Sequence, residues 1–501
     1  MKEAILAVDI GTGSCRAVLF DFKRNEIVTS RSGYSIQEPR PGWMEQDALA
    51  ILRAFRNSIR RVSSDPRAKK YHVRCVILGS ALHSLLPVDR RGRPLAPLQI
   101  WGDNRARVED YKGDFNLRSL YRRTGCPFHP SYPLCKILWM RDHRADLFKR
   151  AAKFVSIKSF ILSALFGKFV EDISVASATG LLNIRSMRWD SEALALTGLG
   201  EERLPELLSP YDSVGSLGSE PAKELNLPVG TPVIVGAGDG QLANVGGGSF
   251  SRGEINVTVG TSVALRVATK KPIFDSKRRL WCYRLDEDDF IFGGASNNGG
   301  NLLQWAIDQF GYGDSVSQEL KRMDKEIMKR LNSFTGPIFY PFVRGERSPY
   351  WETRLRGGLL GFTGSHDRFD SMKATMEGMA FNIFTILAAV RERVGTSSNI
   401  ICGGGGLRLR SLAQILADVL DSRIRIPEDL ETSARGAYVL GLKAVGAIKT
   451  LKEAEKTPSS YQVFTPNRER VRHYKKLYGL YERHLPLIRS LSLEIDRLNS
   501  I

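Results

Sequence analysis

The first apolar run of the chain, Ile5-Leu6-Ala7-Val8, ends in a carboxylate, Asp9. Gly11-Thr12-Gly13-Ser14 follow, and then a second apolar run over residues 17–20. Two such runs joined by a Gly/Ser/Thr turn predict a β-hairpin. Apolar residues at 49, 52, 55, 59 and 62 keep helical spacing and predict a helix with one buried face. Residues 73–78 predict a strand running into Gly79-Ser80-Ala81-Leu82-His83-Ser84. A helix is predicted over 154–166 and loops over 211–230. A buried strand over 231–235 leads into Gly236-Ala237-Gly238-Asp239-Gly240. The second half repeats this alternation. Residues 255–267, INVTVGTSVALRV, predict another hairpin, and strands are expected at 290–294, 338–342 and 400–402. Met372, Met376, Met379, Ile383, Leu387 and Val390 mark a long core-facing helix. From about residue 450 the pattern is helical and charged, a peripheral tail.

Two like hairpins half a chain apart imply two related domains facing one nucleotide, as in actin, hexokinase and Hsp70. The expected fold class is α/β, with two ribonuclease H-like domains and a central cleft. The expected boundaries are 1–245, 246–450 and a helical tail over 451–501. A hinge is expected between residues 240 and 255 and again near the C-terminal crossing.

Composition narrows the function. At 501 residues the chain exceeds one ordinary core, and 42% hydrophobic with 25% charged residues is usual for a soluble globular protein. No apolar stretch approaches the roughly 18 residues of a membrane span, and no signal sequence precedes the first strand. Six cysteines without a C-x-x-C pair argue against zinc and disulfides and for a cytoplasmic location. The net charge of +19 is spread along the chain rather than massed in a tail. That suits solvated helix faces and the steering of anionic small molecules such as ATP better than specific nucleic-acid binding. A homodimer is left open.

Candidate chemistry centres on the turns. Consecutive N–H groups in a glycine turn make a nest for an anion. Asp9 at the strand end suits Mg²⁺, which takes a few carboxylates plus phosphate oxygens. Neither a Walker loop nor a Rossmann turn is present. Asp239, flanked by glycines after a buried strand, is either a turn-former or a catalytic group. His83 stands at a strand end beside small residues. Trp101 with Asp103, Asn104 and Arg105 offers an apolar wall beside polar groups, the mixture a sugar pocket needs. Gly403-Gly404-Gly405-Gly406 before a helix permit close approach of a flat ligand or phosphate.

With these elements placed, residues 4–490 resemble the FGGY carbohydrate kinases. The segment S-x-P-x-x-K-I-x-W-M-x-D-H at 131–143 is similar to the family's first signature, and R-G-G-L-L-G-F at 356–362 to the start of its second. Within the family the chain resembles the gluconokinases, on GWMEQD (42–47), LHSLLPVDRRGRPL (82–95), WGDNRA (101–106), TGCPFHPSYPLCKILW (124–139), SVASATGLLNIRSMRWD (174–190) and GGASNNGG (293–300). The resemblance implies ATP and Mg²⁺ and a general base at Asp239. It implies Asp9 near the metal, a first phosphate loop of Thr12, Gly13, Ser14 and Arg16, and a second at Thr261. Gly300 and Gln304 would line the nucleotide, with Gly405 against the adenosine. His83, Trp101, Asp239 and Asn298 would form the substrate pocket, with Arg105 a guess for a substrate carboxylate. The expected reaction is phosphorylation of D-gluconate to 6-phosphogluconate. A kinase of xylulose, another ketose or a polyol is the alternative, and a nucleotide-gated interaction protein of the same fold a third.

Overall fold

The computed structural model describes residues 2–111, 116–248, 253–311, 315–396, 399–427, 432–454 and 460–499. Residues 249–252, in the middle of the expected hinge at 240–255, lie outside the described residues.

Strands β1 (Lys2–Ile10), β2 (Ser14–Asp21), β3 (Glu26–Gly33), β4 (Tyr71–Ser80), β5 (Ser213–Ser216) and β6 (Pro232–Gly238) form one sheet in the order β5-β6-β4-β1-β2-β3. β1 is antiparallel to β2 and parallel to β4, which is parallel to β6. The middle strands are buried on both faces and read as near-continuous apolar runs, as strands covered by helices on two sides must. Helix α1 (Ala48–Ser63) buries Ile51, Leu52, Phe55, Ile59 and Val62, and the Asp47 carboxylate caps it by accepting from the Leu49 N–H at 2.8 Å. Leu49, counted into the stripe by spacing, is exposed.

A second sheet contains β7 (Ile255–Val259), β8 (Val263–Thr269), β9 (Trp281–Arg284), β10 (Phe290–Ser296), β11 (Ile400–Gly403), β12 (Ile424–Pro427) and β13 (Tyr461–Phe464). Its order is β9-β10-β8-β7-β11-β12-β13. With the edge strands β5, β9 and β13 set aside, β3-β2-β1-β4-β6 and β10-β8-β7-β11-β12 have the same order and the same strand directions. The duplication expected from the two hairpins extends over both sheets.

Four helices place the site. α2 (Asp239–Gly246) leaves β6 directly; α3 (Arg368–Val394) lies in the core of the second sheet; α4 (Thr432–Ala444) follows β12; α5 (Arg468–Asn499) closes the chain. α2 and α4 cross backbone to backbone. A Cβ on Gly246 would stand 1.9 Å from the Thr432 carbonyl oxygen, and one on Gly436 2.0 Å from that of Leu242. Only glycine permits that approach.

Several expectations need correction. α4 belongs by sequence to the span 246–450, and it packs on the first sheet. Ala434, Ala437 and Leu440 join Ile5, Ala7 and Ile77 in one core, and the Tyr438 hydroxyl donates to the Asp21 carbonyl at 2.9 Å. Helical periodicity says that a face is buried, not against which sheet. The segment after 450 is not a peripheral tail. β13 extends the second sheet antiparallel to β12, and α5 buries Tyr474 and Tyr481, with Tyr481 stacked on Tyr340 at 4.7 Å. The many charges on its outer face hide the inner stripe. Residues 211–230, expected as loops, contain β5 and a helix at Ser219–Leu225, and the helix expected at 154–166 is a strand, Lys153–Val155, followed by a helix, Ile157–Phe166.

Candidate active site

The two hairpins face one cavity of about 330 Å³, lined on one side by Asp9, Thr12, Gly13, Ser14 and Arg16 and on the other by Gly260, Thr261 and Ser262. The first hairpin is held from below. Gly11 N–H donates to the Ser14 carbonyl at 3.0 Å, and the Tyr34 hydroxyl donates to the Gly11 carbonyl. Gln46 Nε2 donates to the Thr12 carbonyl at 2.7 Å, and Trp101 Nε1 to Thr12 Oγ1 at 3.1 Å. The second hairpin is closed by Gly260 N–H to the Ser262 carbonyl at 2.9 Å. The helix opening at Gly300 buttresses it, with Gly300 N–H donating to the Gly260 carbonyl at 2.7 Å. Both turns keep their tips, Gly13 and Thr261, exposed toward solvent. Such tips suit phosphate oxygens.

Asp239 opens α2, and its Oδ1 accepts from the Gly240 N–H at 2.7 Å. Burial raises its pKa above the ordinary carboxylate value, and the Arg266 guanidinium is the largest influence against that rise. Behind it, the buried Lys158 ammonium donates to Asp172 Oδ2 at 2.6 Å and to the Ala237 carbonyl at 3.0 Å, while Gly238 N–H donates to Ser174 Oγ at 3.1 Å. These bonds fix the strand end that carries Asp239.

Asp9 lies on β1 directly across the ladder from Arg16. Burial, followed by the charge of Asp239, pushes its pKa up to about 7, against the pull of Arg16. Its Oδ1 is buried without a hydrogen-bond partner. An orphaned carboxylate oxygen close to a second carboxylate fits a hard divalent cation. Among the described residues no three His, Cys, Asp or Glu side chains form a fuller cage. That is the donor set of Mg²⁺, which keeps waters and phosphate oxygens around one or two carboxylates.

A smaller cavity of about 110 Å³ adjoins the first and shares Asp239, Trp101 and Arg266 with it; His83, Tyr283 and Arg347 also stand in its wall. His83 sits in a left-handed turn after β4 (φ +66°). Its Nδ1 lies 2.7 Å from the Ala178 carbonyl, which can only accept, so the proton is on Nδ1 and Nε2 is an acceptor. Burial lowers its pKa to about 3, and the ring is neutral at pH 7. The buried Lys136 ammonium donates to the carbonyls of His83, Ile100 and Ser131 at 2.6, 2.8 and 2.9 Å and ties the two loops of this pocket together.

The structure therefore brings together Asp9, Thr12, Gly13, Ser14, Arg16, His83, Trp101, Asp239 and Thr261 around one connected space. Others fall elsewhere. Asn298 is buried, and its amide nitrogen donates to the Gly345 carbonyl at 2.9 Å and toward Glu346 at 3.3 Å, which secures the loop behind the pocket. Gln304 donates to Asp308 along its own helix at 2.8 Å. Gly300 packs on the second hairpin rather than on the cavity wall, and Gly404, not the exposed Gly405, lines the cavity. Arg105 is engaged by Asp103 and Glu45, both at 2.6 Å, lies over the Trp43 ring at 3.9 Å, and lines neither cavity. Sequence reasoning missed Arg266, Arg347, Lys158, Thr258 and Thr432. Arg266 had a signal, a lone charge between Leu265 and Val267 in an otherwise apolar strand.

Paired sheets of one topology, with glycine hairpins over a shared cleft and a buried acid at its centre, define a two-domain phosphotransferase. The models for the N- and C-terminal domains of the FGGY family of carbohydrate kinases match residues 4–246 and 255–445. The chain belongs to that family. It is 32% identical over 490 residues to a gluconokinase of Bacillus subtilis (strain 168), covering 96% of this chain and 95% of that protein. Among solved structures it is similar to a gluconate kinase from Lactobacillus acidophilus, with a TM-score of 0.88 and 28% identity over 97% of this chain and 99% of the other. A ligand-bound xylulose kinase from the same organism matches with a TM-score of 0.88 and 28% identity over 97% and 98%.

Proposed function

We propose that this carbohydrate kinase phosphorylates D-gluconate to 6-phosphogluconate with ATP, and that Asp239 takes the proton of the attacking hydroxyl. The observation carrying this reading is the place of Asp239, at the junction of a cavity walled by both hairpins and a smaller polar pocket. A base there stands between the phosphoryl group and its acceptor. Its raised pKa makes it a stronger proton acceptor than an ordinary carboxylate. His83 Nε2 and Trp101 orient the sugar chain, His83 by accepting from a hydroxyl and Trp101 by its apolar face. The N–H groups of Thr12, Gly13, Ser14 and Thr261 hold phosphate oxygens in line and stabilise the charge that develops on them. Asp9, with Asp239 nearby, would hold Mg²⁺. The metal, when bound, neutralises phosphate charge. Closure of the two sheets about the α2–α4 crossing excludes water from the transfer. The six free cysteines, all buried, support a reducing, cytoplasmic setting.

A second reading, xylulose as substrate, is favoured by the equal structural likeness to the xylulose kinase. ADP-release assays with gluconate, xylulose, ribulose and glycerol test the choice. The expected result is turnover of gluconate well above the rest; a higher kcat/KM for xylulose overturns it.

A further inference from the structure

The smaller pocket has an unbalanced charge. Two guanidinium groups, Arg266 and Arg347, line it with a single carboxylate, Asp239. Each of the two is pulled below its usual pKa by burial; Asp239 works against this at Arg266, where the charge of Arg347 adds to the effect, and Glu346 works against it at Arg347. The two differ in where they face. Arg266 lines both cavities, and its Nη1 donates to Thr258 Oγ1 at 3.1 Å, on the phosphate side. Arg347 lines only the smaller pocket. It is 7% exposed and lies over the Trp101 ring at 4.9 Å. Its Nη2 donates to the Ser296 carbonyl at 3.2 Å. Its Nε is buried with no hydrogen-bond partner. The nearby Glu346 carboxylate is taken up by Ser296, Asn298, Asn382 and the Arg347 backbone N–H rather than by the guanidinium.

A buried, always-charged side chain with an unused donor is costly unless its partner arrives with a ligand. Neutral sugar hydroxyls satisfy the donor and leave the charge. A carboxylate satisfies both and takes the guanidinium's fork geometry. On the proposed reading the hairpins and Arg266, which line the larger cavity, would meet the γ-phosphate, and Arg347, which does not line it, is left for the other end of the substrate. We infer that Arg347 binds the carboxylate of the substrate and makes the enzyme select a sugar acid over a neutral sugar or polyol. This deepens the gluconate reading and rests on it. Arg347, not Arg105, is then the residue that distinguishes an acid at one end of the chain from a hydroxyl at the other.

The test compares gluconate with gluconamide, which keeps every hydroxyl and loses only the charge. The wild-type enzyme is expected to prefer gluconate in kcat/KM by on the order of 10–10²-fold, because an amide oxygen meets the donor but leaves the guanidinium charge unpaired. In Arg347→Met that preference collapses to near unity through a rise in KM for gluconate. Arg347→Lys restores part of it, and the affinity for ATP, measured by calorimetry, stays within a few-fold as the check on folding. An Arg347→Met enzyme that binds ATP normally but retains the full preference overturns the inference while the gluconate reading stands. So does one that loses both substrates equally. Wild-type protein that turns over xylulose and neither gluconate nor gluconamide overturns both.

Discussion

At the position two residues before the hairpin glycine, the first sheet carries Asp9 and the second carries Thr258. Across the ladder Asp9 faces Arg16, and Thr258 faces Ala264. The helices that follow the last parallel strand also reach the cavity: Asp239 stands at the start of α2, and Thr432 is the first described residue of α4. All four residues line one cavity. The backbone is duplicated, and among the described residues the carboxylates that line the cavity, Asp9 and Asp239, are on one copy only. Four carboxylates around a triphosphate would repel it and one another. Two acids on one wall, opposed by hydroxyls and N–H donors on the other, leave room for a metal and for the phosphates it neutralises.

The sharpest way to break this comparison is at the two helix starts. Asp239→Asn is expected to lower kcat by about 10²–10⁴, the worth of a positioned base, while ATP still binds. Thr432→Val, which lines the same cavity from α4, is expected to cost less than about tenfold, the scale of one neutral hydrogen bond. Coupled ADP-release kinetics measure both. Equal losses would mean that the two walls share the chemistry.

Asp9→Asn comes next. A loss of about 10²-fold in activity, with a raised Mg²⁺ requirement, is expected from a removed metal-side carboxylate, against less than about tenfold for Thr258→Val. The same variant has a stability signature. The Asp9 pKa is raised from 3.8 to about 7, so between those values the folded protein holds a proton that the unfolded chain releases. Ligand-free stability therefore falls as pH rises through that window. Asp9→Asn removes the loss, so its Tm without nucleotide should exceed the wild type's above about pH 7 and match it below about pH 4. Thermal melts at both ends of the range check it.

Much of this asymmetry was legible from residues alone, because turns and acids are local. Both hairpins, the strand end bearing Asp239, and the His83 turn follow from apolar runs broken by small residues. The partners that complete the site were not. Arg347 reaches the pocket from a loop 108 residues after Asp239, and Lys158 supports Asp239 from a helix in another part of the chain. Such pairings are set by sheet order, which no local pattern encodes. Asn298 lies behind the cavity lining for a related reason: a polar residue after a buried strand serves a neighbouring loop as readily as a ligand.

The crossing of α2 and α4 ties the two copies together and predicts a smaller effect, on stability. In Gly436→Ala the new methyl would lie 2.0 Å from the Leu242 carbonyl oxygen, so the helices must part. A loss of ~1–3 kcal/mol is expected, seen as a lower Tm. Because the crossing joins both sheets, KM for ATP and for the sugar should rise together. A lower Tm with both KM values unchanged would separate the crossing from cleft closure.

The smallest effect is expected at the exposed tips of the hairpins, Gly13 and Thr261. A Cβ built on Gly13 meets no atom within 4 Å, and Gly13 is not among the glycines with positive φ. The fold therefore does not require glycine there, in contrast to Gly436. Only a ligand approaching the backbone could. Gly13→Ala keeps the N–H donor, so the Tm should match the wild type's and KM for ATP should change by less than about threefold, under the ~1 kcal/mol of one hydrogen bond. An unchanged Tm with a much larger rise in KM would mean that phosphate presses closer to the first hairpin than to the second. The two tips, one bare and one carrying a threonine side chain, would then differ in chemistry as their strands do.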